Sequence, residues 1–491
     1  MEEHSIVGLE ASPSRVGPEE THAAVLKPER PRPLMHALSQ GLIRDWRTHK
    51  YFFFGALLLL LTIILTVIYY ANYPRPEIGP DSPAYFWVAY KLRLHPTWLV
   101  DVWRLPGYPL FIDIVYLLAG QGNLVAVGIA QAMLFVLATL EIYVLAILIL
   151  KRTWMAFLIG LMVGTNVIFL SSIKPMMTEG LALWLVTSLA LAIVYFIRTL
   201  HIHAFWLMVV CFVPLLFTRP EWLYLPVPLL AYLLLVAWRR GSARRVLFNA
   251  LPALVCIYAL VAAYIGINTL RNQYPGMTAI ENFNYLGKVL QYNMQDEAPP
   301  QDAQYSRRLD ILVAQTNRSP YVVLRHMPDL SKDNALPAGN FARTIILHHP
   351  FEFLAKSVPL FLPSLTHYYG RESSGPFRVP LAFMISFDRI LYRANAFFLL
   401  CVPFWLLLLC WRKVRSHPLV LEMGAIILLA FYALVITDLG GYKFEDYMRV
   451  HIVFDPLLIL VVWGSFFLGA RFLVHHGPAL YTQLASHMRN H

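Results

Sequence analysis

The chain has 491 residues, of which 58% are hydrophobic and only 14% are charged. A typical soluble domain is about 25% charged, so this composition excludes a water-soluble globule, and it also excludes a disordered or fibrous chain. The formal net charge of +11 is interpreted as basic residues at membrane loops, since cytoplasmic loops carry excess Lys and Arg. We therefore expect an integral, multi-pass membrane protein whose partner is the lipid bilayer and not a nucleic acid.

Residues 1–49 form a polar stretch that is rich in Pro and Glu and shows no periodic apolar pattern. Such a stretch cannot bury enough apolar surface to fold, so we expect a disordered tail. The first apolar run, 51–70, is about 20 residues long, which is enough to cross a bilayer, and no cleavage pattern follows it. Basic residues directly before this run predict an uncleaved anchor and a cytoplasmic N-terminus; they are Arg44, Arg47 and Lys50.

Apolar runs of membrane-crossing length recur along the chain and predict about ten transmembrane helices. The shorter apolar stretches 108–119 and 353–366 are expected to be re-entrant or interfacial, because this choice keeps the basic clusters between spans on the cytoplasmic side. The predicted spans are 51–70, 124–149, 153–172, 177–197, 203–217, 221–237, 246–267, 393–411, 418–437 and 450–473.

This topology divides the chain into segments on the two sides of the membrane. An N-terminal transmembrane module, 50–267, includes the external loop 71–107, and C-terminal transmembrane helices cover 393–474. The segment 268–392 between them mixes charged, Pro and aromatic residues at ordinary density, so we expect a small extracytoplasmic cap with an interfacial part. Residues 475–491 are expected to be a cytoplasmic tail.

The first external loop contains the run Gly79-Pro80-Asp81-Ser82-Pro83-Ala84-Tyr85. Val88, Ala89 and Leu92 continue it at helical spacing, which predicts an amphipathic helix on the membrane surface. Asp81 stands where this helix begins. Its carboxylate either caps the helix N-terminus or is a catalytic group, and the sequence leaves both interpretations open.

Two further motifs place ionisable residues beside predicted spans. Arg104 precedes the turn Pro106-Gly107-Tyr108, which is alternatively a rigid loop at the membrane edge. In the run Lys174-Pro175-Met176-Met177-Thr178-Glu179, Glu179 either caps the next helix or is functional, since an acidic group near hydrocarbon is costly.

The last two motifs lie in turns that the topology also places outside. In Thr218-Arg219-Pro220-Glu221 the arginine pairs with its neighbour, snorkels to lipid headgroups, or binds an anion. Glu445, Tyr447 and Arg449 precede the last span, where an ion pair between residues four apart is the alternative to a role in a site.

The topology was derived from cytoplasmic charges, yet it brings all five motifs to one face. Carboxylates at Asp81 and Glu179 suit the activation of a hydroxyl nucleophile, and the basic residues suit an anionic phosphate group. These basic residues are Arg104, Lys174, Arg219 and Arg449. A phosphate-bearing lipid substrate fits such a face.

The ordered motifs resemble the GT-C superfamily of membrane glycosyltransferases, in particular the bacterial protein-mannosyltransferase-like and aminoarabinose-transferase-like enzymes. The resemblance lies in Asp-x-x-x-Tyr, Arg-x-Pro-Gly-Tyr-Pro-Leu-Phe, Thr-Glu-x-Leu, Thr-Arg-Pro and Glu-x-Tyr-x-Arg, over about residues 50–240 and 440–470. It implies an all-α GT-C-like bundle of roughly 10–12 transmembrane helices, with amphipathic loop helices and a small external cap. Many relatives have an Asp-Glu pair in the first loop, whereas here Ser82 follows Asp81.

The resemblance implies inverting transfer of a sugar from a polyprenyl-phosphate donor to a hydroxyl acceptor outside a bacterial inner membrane. Asp81 would be the general base or the residue that orients the acceptor, and Glu179 would be the second acidic residue, while Arg219 and Arg449 would hold the donor phosphate. Charge and topology add Arg104 and Lys174 to the phosphate-binding set. Substrate contacts are assigned to four more residues: Tyr85, Tyr108, Glu445 and Tyr447.

No residue spacing specifies a metal site: His326, His348 and His349 are expected to be loop histidines, and no cysteine forms a CxxC pair. Some GT-C enzymes use a divalent cation, so the resemblance leaves that cofactor open. Two other functions remain open from the residues alone: a transporter or flippase for lipid-linked sugars, and a non-enzymatic membrane scaffold.

Overall fold

A computed structural model describes residues 34–316, 318–368, 375–442 and 449–489, with side chains between residues 49 and 474. The described chain divides into two units, with the boundary between Lys50 and Tyr51. In the first unit the described residues are helical, and the disorder expected for 1–49 stays a prediction. Its apolar residues Leu34, Leu38 and Leu42 recur at helical spacing; residues 1–33 lie outside the described part.

The regular secondary structure of the described residues consists of α-helices and short 3-10 helices, apart from one isolated bridge between Glu77 and Pro175. This confirms the predicted all-α class. The helices are α1 Leu34–Asn72, α2 Ser82–Leu94, α3 Gly107–Ala119, α4 Leu124–Leu150, α5 Thr153–Gly164, α6 Val167–Ile173, α7 Glu179–Thr199, α8 Ile202–Thr218, α9 Pro226–Arg239, α10 Ala243–Asn272, α11 Ile280–Gln291, α12 Ala303–Thr316, α13 Pro320–Arg325, α14 Pro328–His348, α15 Pro350–Ser357, α16 Phe361–Thr366, α17 Arg378–Ala394, α18 Phe398–Cys410, α19 Pro418–Gly440 and α20 Asp455–Arg489.

Seven helical segments of the described chain are long and apolar enough to cross a membrane. An eighth is α5 with α6, if this pair, bent by 47°, forms one span. The chain is thus an all-α, multi-pass membrane protein. The seven segments are His49–Asn72, Leu124–Leu150, Glu179–Thr199, Ala243–Asn272, Arg378–Cys410, Pro418–Gly440 and Asp455–Val474.

By length and composition the described residues thus contain seven such segments, or eight with the bent pair, where about ten were predicted. Helices α8 and α9 were predicted to cross, but they contain 17 and 14 residues, or about 25 and 21 Å at 1.5 Å per residue, against a hydrocarbon core of about 30 Å. The 3-10 turn Pro220–Tyr224 between them shortens both, because proline cannot continue a helix that precedes it.

Two other boundaries differ from the expected ones. The span predicted at 393–411 begins earlier, within Arg378–Cys410, and so crosses the expected border between cap and C-terminal helices. The predicted tail 475–491 continues the helix α20 as far as Arg489.

Helix α2 covers the predicted amphipathic segment and buries Tyr85, Val88 and Ala89 on one face. Helix α3 has 13 residues, which is too short to cross a bilayer. It packs against α2, α4 and α8. The first loop is therefore held against α8, whose C-terminal end leads into the Arg219 motif.

A second apolar core forms within residues 286–353, from α11 to α15. Three hydrogen bonds tie this cap and the end of α10 to the first loop. The amide of Ala279 donates to the Val102 carbonyl at 2.8 Å, the Thr278 hydroxyl to Trp103 at 3.0 Å, and the Tyr264 hydroxyl to Asp101 at 3.1 Å. The backbone just before Arg104 is thus fixed from the cap side.

Within the bundle, α4 and α7 are joined by a carboxylate that the sequence analysis did not single out. Glu141 accepts hydrogen bonds from Trp184 Nε1 at 3.0 Å, Thr187 Oγ1 at 2.6 Å and Ser188 Oγ at 2.7 Å. Glu141 is half-buried, and a carboxylate withdrawn from water needs partners for its oxygens, so these donors fix α7 against α4. The same helix begins with Glu179.

Candidate functional site

Asp81 occupies the N-cap position of α2, but its side chain makes no capping hydrogen bond. Its Oδ1 accepts instead from Arg104 Nη2 at 2.7 Å, and its Oδ2 lies 3.2 Å from Arg449 Nη1. The capping interpretation therefore does not describe how this carboxylate is used. The carboxylate lies between two guanidiniums, one from the first loop and one from the segment before the last helix.

The pKa of Asp81 depends on these two guanidiniums. Partial burial raises the pKa of the carboxyl, but the charges and hydrogen bonds of Arg104 and Arg449 outweigh burial and hold the pKa below its usual value. Asp81 is therefore ionised at neutral pH, and it is a weak base for as long as both guanidiniums hold it.

Glu179 is the first residue of α7 and is almost fully buried. Its Oε1 lies 3.1 Å from Arg449 Nε and 3.5 Å from Arg219 Nη2. Its Oε2 accepts no hydrogen bond from the described residues. Arg449 consequently bridges Asp81 and Glu179, which are 98 positions apart in the sequence.

Arg219 extends the cluster on the side of α8. Its Nε lies 3.3 Å from Glu221 Oε1, which is the local ion pair that the sequence suggested. Nη2 also reaches Glu179, and Nη1 donates to the Val450 carbonyl at 3.2 Å. The local pair is thus one edge of a larger cluster of three carboxylates and three guanidiniums; its members are Asp81, Glu179, Glu221, Arg104, Arg219 and Arg449.

Ser82, the residue that replaces an expected second acid, connects two of the motifs. Its hydroxyl accepts from the Gly79 amide at 2.8 Å and donates to the Met176 carbonyl at 2.8 Å. The Met176 amide in turn donates to the Glu77 carbonyl at 3.0 Å. This buried serine holds the first loop against the segment that leads into Glu179.

Arg104 is oriented by a turn and by an aromatic ring. Asp101 Oδ1 accepts from the amides of Trp103 and Arg104, each at 2.8 Å. The guanidinium lies 4.8 Å from the centre of the Tyr85 ring. The neighbouring Tyr108 is fully buried, with its ring 5.1 Å from that of Tyr85, so it lies behind the site and supports Tyr85.

Lys174 lies apart from the ion cluster in a different setting. Its ammonium is 5.2 Å from the centre of the Tyr73 ring. Together with residues 72–78 it lines a recess of about 430 Å³. Its assignment to donor phosphate stays a prediction. Glu445 and Tyr447 lie outside the described residues.

One group of potential metal ligands is present in the described chain, on the cap. The ligand atoms of Glu297, His349 and Glu352 all lie within 4.8 Å of one another. The sequence analysis regarded His349 as a loop histidine. Lys356 Nζ lies 2.6 Å from Glu352, so an ammonium already neutralises one of the carboxylates.

Two residues of the site were missed by sequence reasoning. Asp101 precedes Arg104 by three positions, and an Asp at that spacing from a turn is a recognisable Asx-turn signal. Ser82 carried no local signal, because its partner, the Met176 carbonyl, is 94 positions away.

No known protein family matches the sequence, and no curated protein matches it either. Solved structures of the oligosaccharyltransferase AglB from Archaeoglobus fulgidus are similar. The form in complex with an inhibitory peptide and a dolichol-phosphate has 12% identity and a TM-score of 0.47, covering 90% of this chain and 52% of that one. The apo form has 12% identity and a TM-score of 0.47, covering 89% and 52%.

A third structure, of the same enzyme tethered to an acceptor peptide, has 12% identity and a TM-score of 0.46, covering 89% of this chain and 51% of that one. The chain thus spans about half the length of the solved structures that it resembles.

Proposed function

We propose that the protein is an inverting glycosyltransferase that moves a sugar from a polyprenyl-phosphate donor to a hydroxyl acceptor. The reaction takes place on the extracytoplasmic face of a bacterial inner membrane, with the N-terminus in the cytoplasm. The supporting observation is the bridge that Arg449 makes between Asp81 and Glu179, because it joins a base for a hydroxyl to a cation for a phosphate within one cluster.

In the proposed reaction, Asp81 accepts the proton of the acceptor hydroxyl. The acceptor oxygen forms a bond to the anomeric carbon, and the bond from that carbon to the phosphate oxygen breaks. The electron pair of the broken bond leaves with the carrier phosphate. The phosphate gains one negative charge in this step, so guanidiniums beside it stabilise the transition state more than the bound donor.

The same arginines that bind phosphate also hold Asp81 in the free protein. A donor phosphate that draws Arg449 or Arg104 away from Asp81 removes charges that keep the pKa of this carboxyl low. Asp81 then becomes a better base at the moment when donor is present. This coupling gives donor binding a direct effect on acceptor activation.

A divalent cation fits poorly between Asp81 and Glu179, because the Arg449 guanidinium already lies 3.2 Å and 3.1 Å from their oxygens. In the cluster as a whole, three guanidiniums balance three carboxylates. The proposal therefore contains no step that depends on a metal.

Turnover of the purified protein with a panel of radiolabelled polyprenyl-phosphate sugars and mixed acceptors tests this function. We expect sugar transfer with release of carrier phosphate, and we expect Asp81→Asn to lower the rate by about 10²- to 10⁴-fold, the range for loss of a general base. Glu179→Gln should also be strongly impaired. Asp329→Asn, which breaks an exposed ion pair with Arg308 on the cap, is the matched control.

Binding measurements with the same donors separate the roles. Asp81→Asn should retain or raise donor affinity, because it weakens the hold on Arg104 and Arg449, whereas Arg219→Ala should lower donor affinity, because it removes a phosphate contact. Equal losses of affinity in both variants would contradict this division. If a donor is bound and moved between leaflets of liposomes without being consumed, the protein is a transporter and the proposal is wrong.

A further inference from the structure

Basic residues gather at the end of the helix bundle that lies opposite the ion cluster. Helix α7 begins at Glu179, within the cluster, and has Arg198 in its last turn. Its 21 residues span about 31 Å at 1.5 Å per residue, close to the hydrocarbon thickness of about 30 Å, so its two ends lie at opposite membrane surfaces. At the far end, Arg240 donates a hydrogen bond to the Ile197 carbonyl.

Arg239 joins two basic segments at this far end, 239–245 and 411–417. Its Nη1 donates to the Arg415 carbonyl at 2.8 Å, and its Nη2 donates to the Leu409 carbonyl at 3.1 Å. The two segments therefore form one surface, which we call the basic face. Its charged residues are Arg239, Arg240, Arg244, Arg245, Arg412, Lys413 and Arg415.

The charges of the basic face are not neutralised within the part of the chain that the structure describes. Six of its seven basic side chains are exposed, Arg239 being the exception, and none of them forms an ion pair with a carboxylate. A carboxylate at this end, Glu422, is only 1% exposed and already holds Arg198 at 2.8 Å. Like charges at this density repel one another, so the face favours an anion from outside the chain.

Exposed apolar side chains flank the basic face on its membrane side. Trp238 directly precedes Arg239 and is 71% exposed, and Trp411 follows the end of α18 and is 57% exposed. Leu407, one helical turn deeper on α18, is 70% exposed. Tryptophan is enriched at the level of lipid headgroups, and apolar side chains below that level contact acyl chains. The surface thus combines positive charge at headgroup depth with apolar groups beneath it.

We infer that the basic face binds the phosphate groups of anionic phospholipids, in the leaflet opposite the ion cluster. Guanidiniums bind phosphate oxygens through paired, charge-assisted hydrogen bonds. Clusters of about four to eight Lys and Arg beside a membrane helix attract anionic lipids, and this face has seven. The flanking tryptophans and leucine suit acyl chains, which a soluble phosphate lacks. The proposed sugar transfer does not involve this face, so the inference goes beyond that function.

The alternative is that these residues only orient the chain in the membrane, since basic loops are retained in the cytoplasm during insertion. That rule depends on the number of charges and needs no folded surface. The bond from Arg239 to the Arg415 carbonyl instead joins segments that are 176 positions apart. A purely orienting role predicts that the folded protein binds anionic and zwitterionic phospholipids equally well.

Native mass spectrometry of the full chain, titrated with single phospholipids, tests the inference. We expect phosphatidylglycerol and diphosphatidylglycerol each to bind at least about tenfold more tightly than phosphatidylcholine. Arg244→Gln combined with Arg245→Gln should lower affinity for phosphatidylglycerol by about fivefold for each charge removed. Arg307→Gln combined with Arg325→Gln, which removes two exposed charges from the cap, is the matched control and should bind like the wild type. Equal affinities of the wild type for anionic and zwitterionic lipids overturn the inference.

Two further measurements identify the ligand and exclude misfolding. Inorganic phosphate and pyrophosphate in large excess should not displace phosphatidylglycerol; displacement by either means that the face is a site for soluble anions, which overturns the inference. Arg244→Lys combined with Arg245→Lys keeps the charge and should keep most of the lipid preference, whereas a glutamine variant that binds like the wild type contradicts a role for these residues. Neither readout requires sugar transfer, so the inference stands or falls separately from the proposed function.

Discussion

Asp81 shows how a residue with an ordinary local explanation acquires a different role in the folded chain. Its position before α2 is that of a helix cap, yet its two oxygens bind Arg104 and Arg449. Burial and the two cations act on its pKa in opposite directions, and the cations prevail. The local explanation fails because a charge-assisted pair is stronger than a neutral capping bond.

The pH dependence of activity provides a test at this scale. Since the pKa of Asp81 is lowered, the carboxylate stays ionised in the wild type well below neutral pH. In Arg104→Ala the largest lowering influence is removed and burial then raises the pKa, so the acid limb of kcat/KM against pH should move to higher pH. Turnover measured between about pH 4.5 and 8 checks this.

Arg308→Ala is the control for that measurement, because Arg308 pairs with Asp329 on the exposed cap. A lower plateau with an unmoved acid limb in Arg104→Ala would mean that Arg104 does not set the protonation of Asp81.

At the scale of helices, the site depends on how closely α3 approaches α8. A side chain at Gly107 would bring its Cβ within 2.4 Å of Thr218 Oγ1 and 2.7 Å of the Phe217 carbonyl oxygen. Real Cβ atoms do not come so close, and two of the nearest atoms belong to backbone. The Arg-x-Pro-Gly motif and the Thr-Arg-Pro motif are therefore in direct contact at this glycine.

Gly107→Ala should separate α3 from the end of α8 and displace Arg219. We expect a loss of about 1–3 kcal/mol of stability, the usual cost of overpacking, together with weaker donor binding. Thermal unfolding in detergent and donor affinity measure the two effects. Gly266→Ala, where a Cβ meets nothing within 4 Å, should change neither; a tolerated Gly107→Ala would show that the approach is not required.

At the scale of the whole molecule, a buried lysine of the cap, Lys288, contacts the membrane helix α19. Lys288 on α11 donates to Tyr292 at 3.0 Å and to the Asp438 carbonyl on α19. The Tyr292 hydroxyl continues to Ser357 at 2.9 Å. Burial lowers the pKa of Lys288 to about 7, because the ammonium loses hydration that its partners restore only in part.

The lowered pKa of Lys288 predicts that the stability of the folded protein depends on pH. Between about pH 7 and pH 10 the unfolded chain binds a proton at Lys288 and the folded chain does not, so the free energy of unfolding should rise with pH in that interval. Lys288→Met should remove this rise and be more stable than the wild type near pH 7. Tm measured in detergent across this range tests both statements.

Lys356→Met is the matched control, since Lys356 is only partly buried and pairs with Glu352. If Lys288→Met and the wild type gain equally in Tm with increasing pH, another group causes the dependence and the lysine is a passive contact.

The all-α membrane fold, the helix after Asp81 and most residues of the ion cluster could be predicted from the sequence alone. These follow from apolar periodicity, charge distribution and motif order, which are local properties of the chain. The predicted count of about ten spans includes α8 and α9, which have 17 and 14 residues, since hydropathy does not register the 3-10 turn that begins at Pro220.

Which charged residues contact one another depends on how distant parts of the chain pack together. Arg449 and Asp81 are 368 positions apart, and Trp103 and Phe283 come together only because the cap bonds to the first loop. Such pairings depend on the packing of distant helices, and no period or spacing in the chain encodes them. The same reason explains why Asp81 could be read equally well as a helix cap until its two guanidinium partners were located.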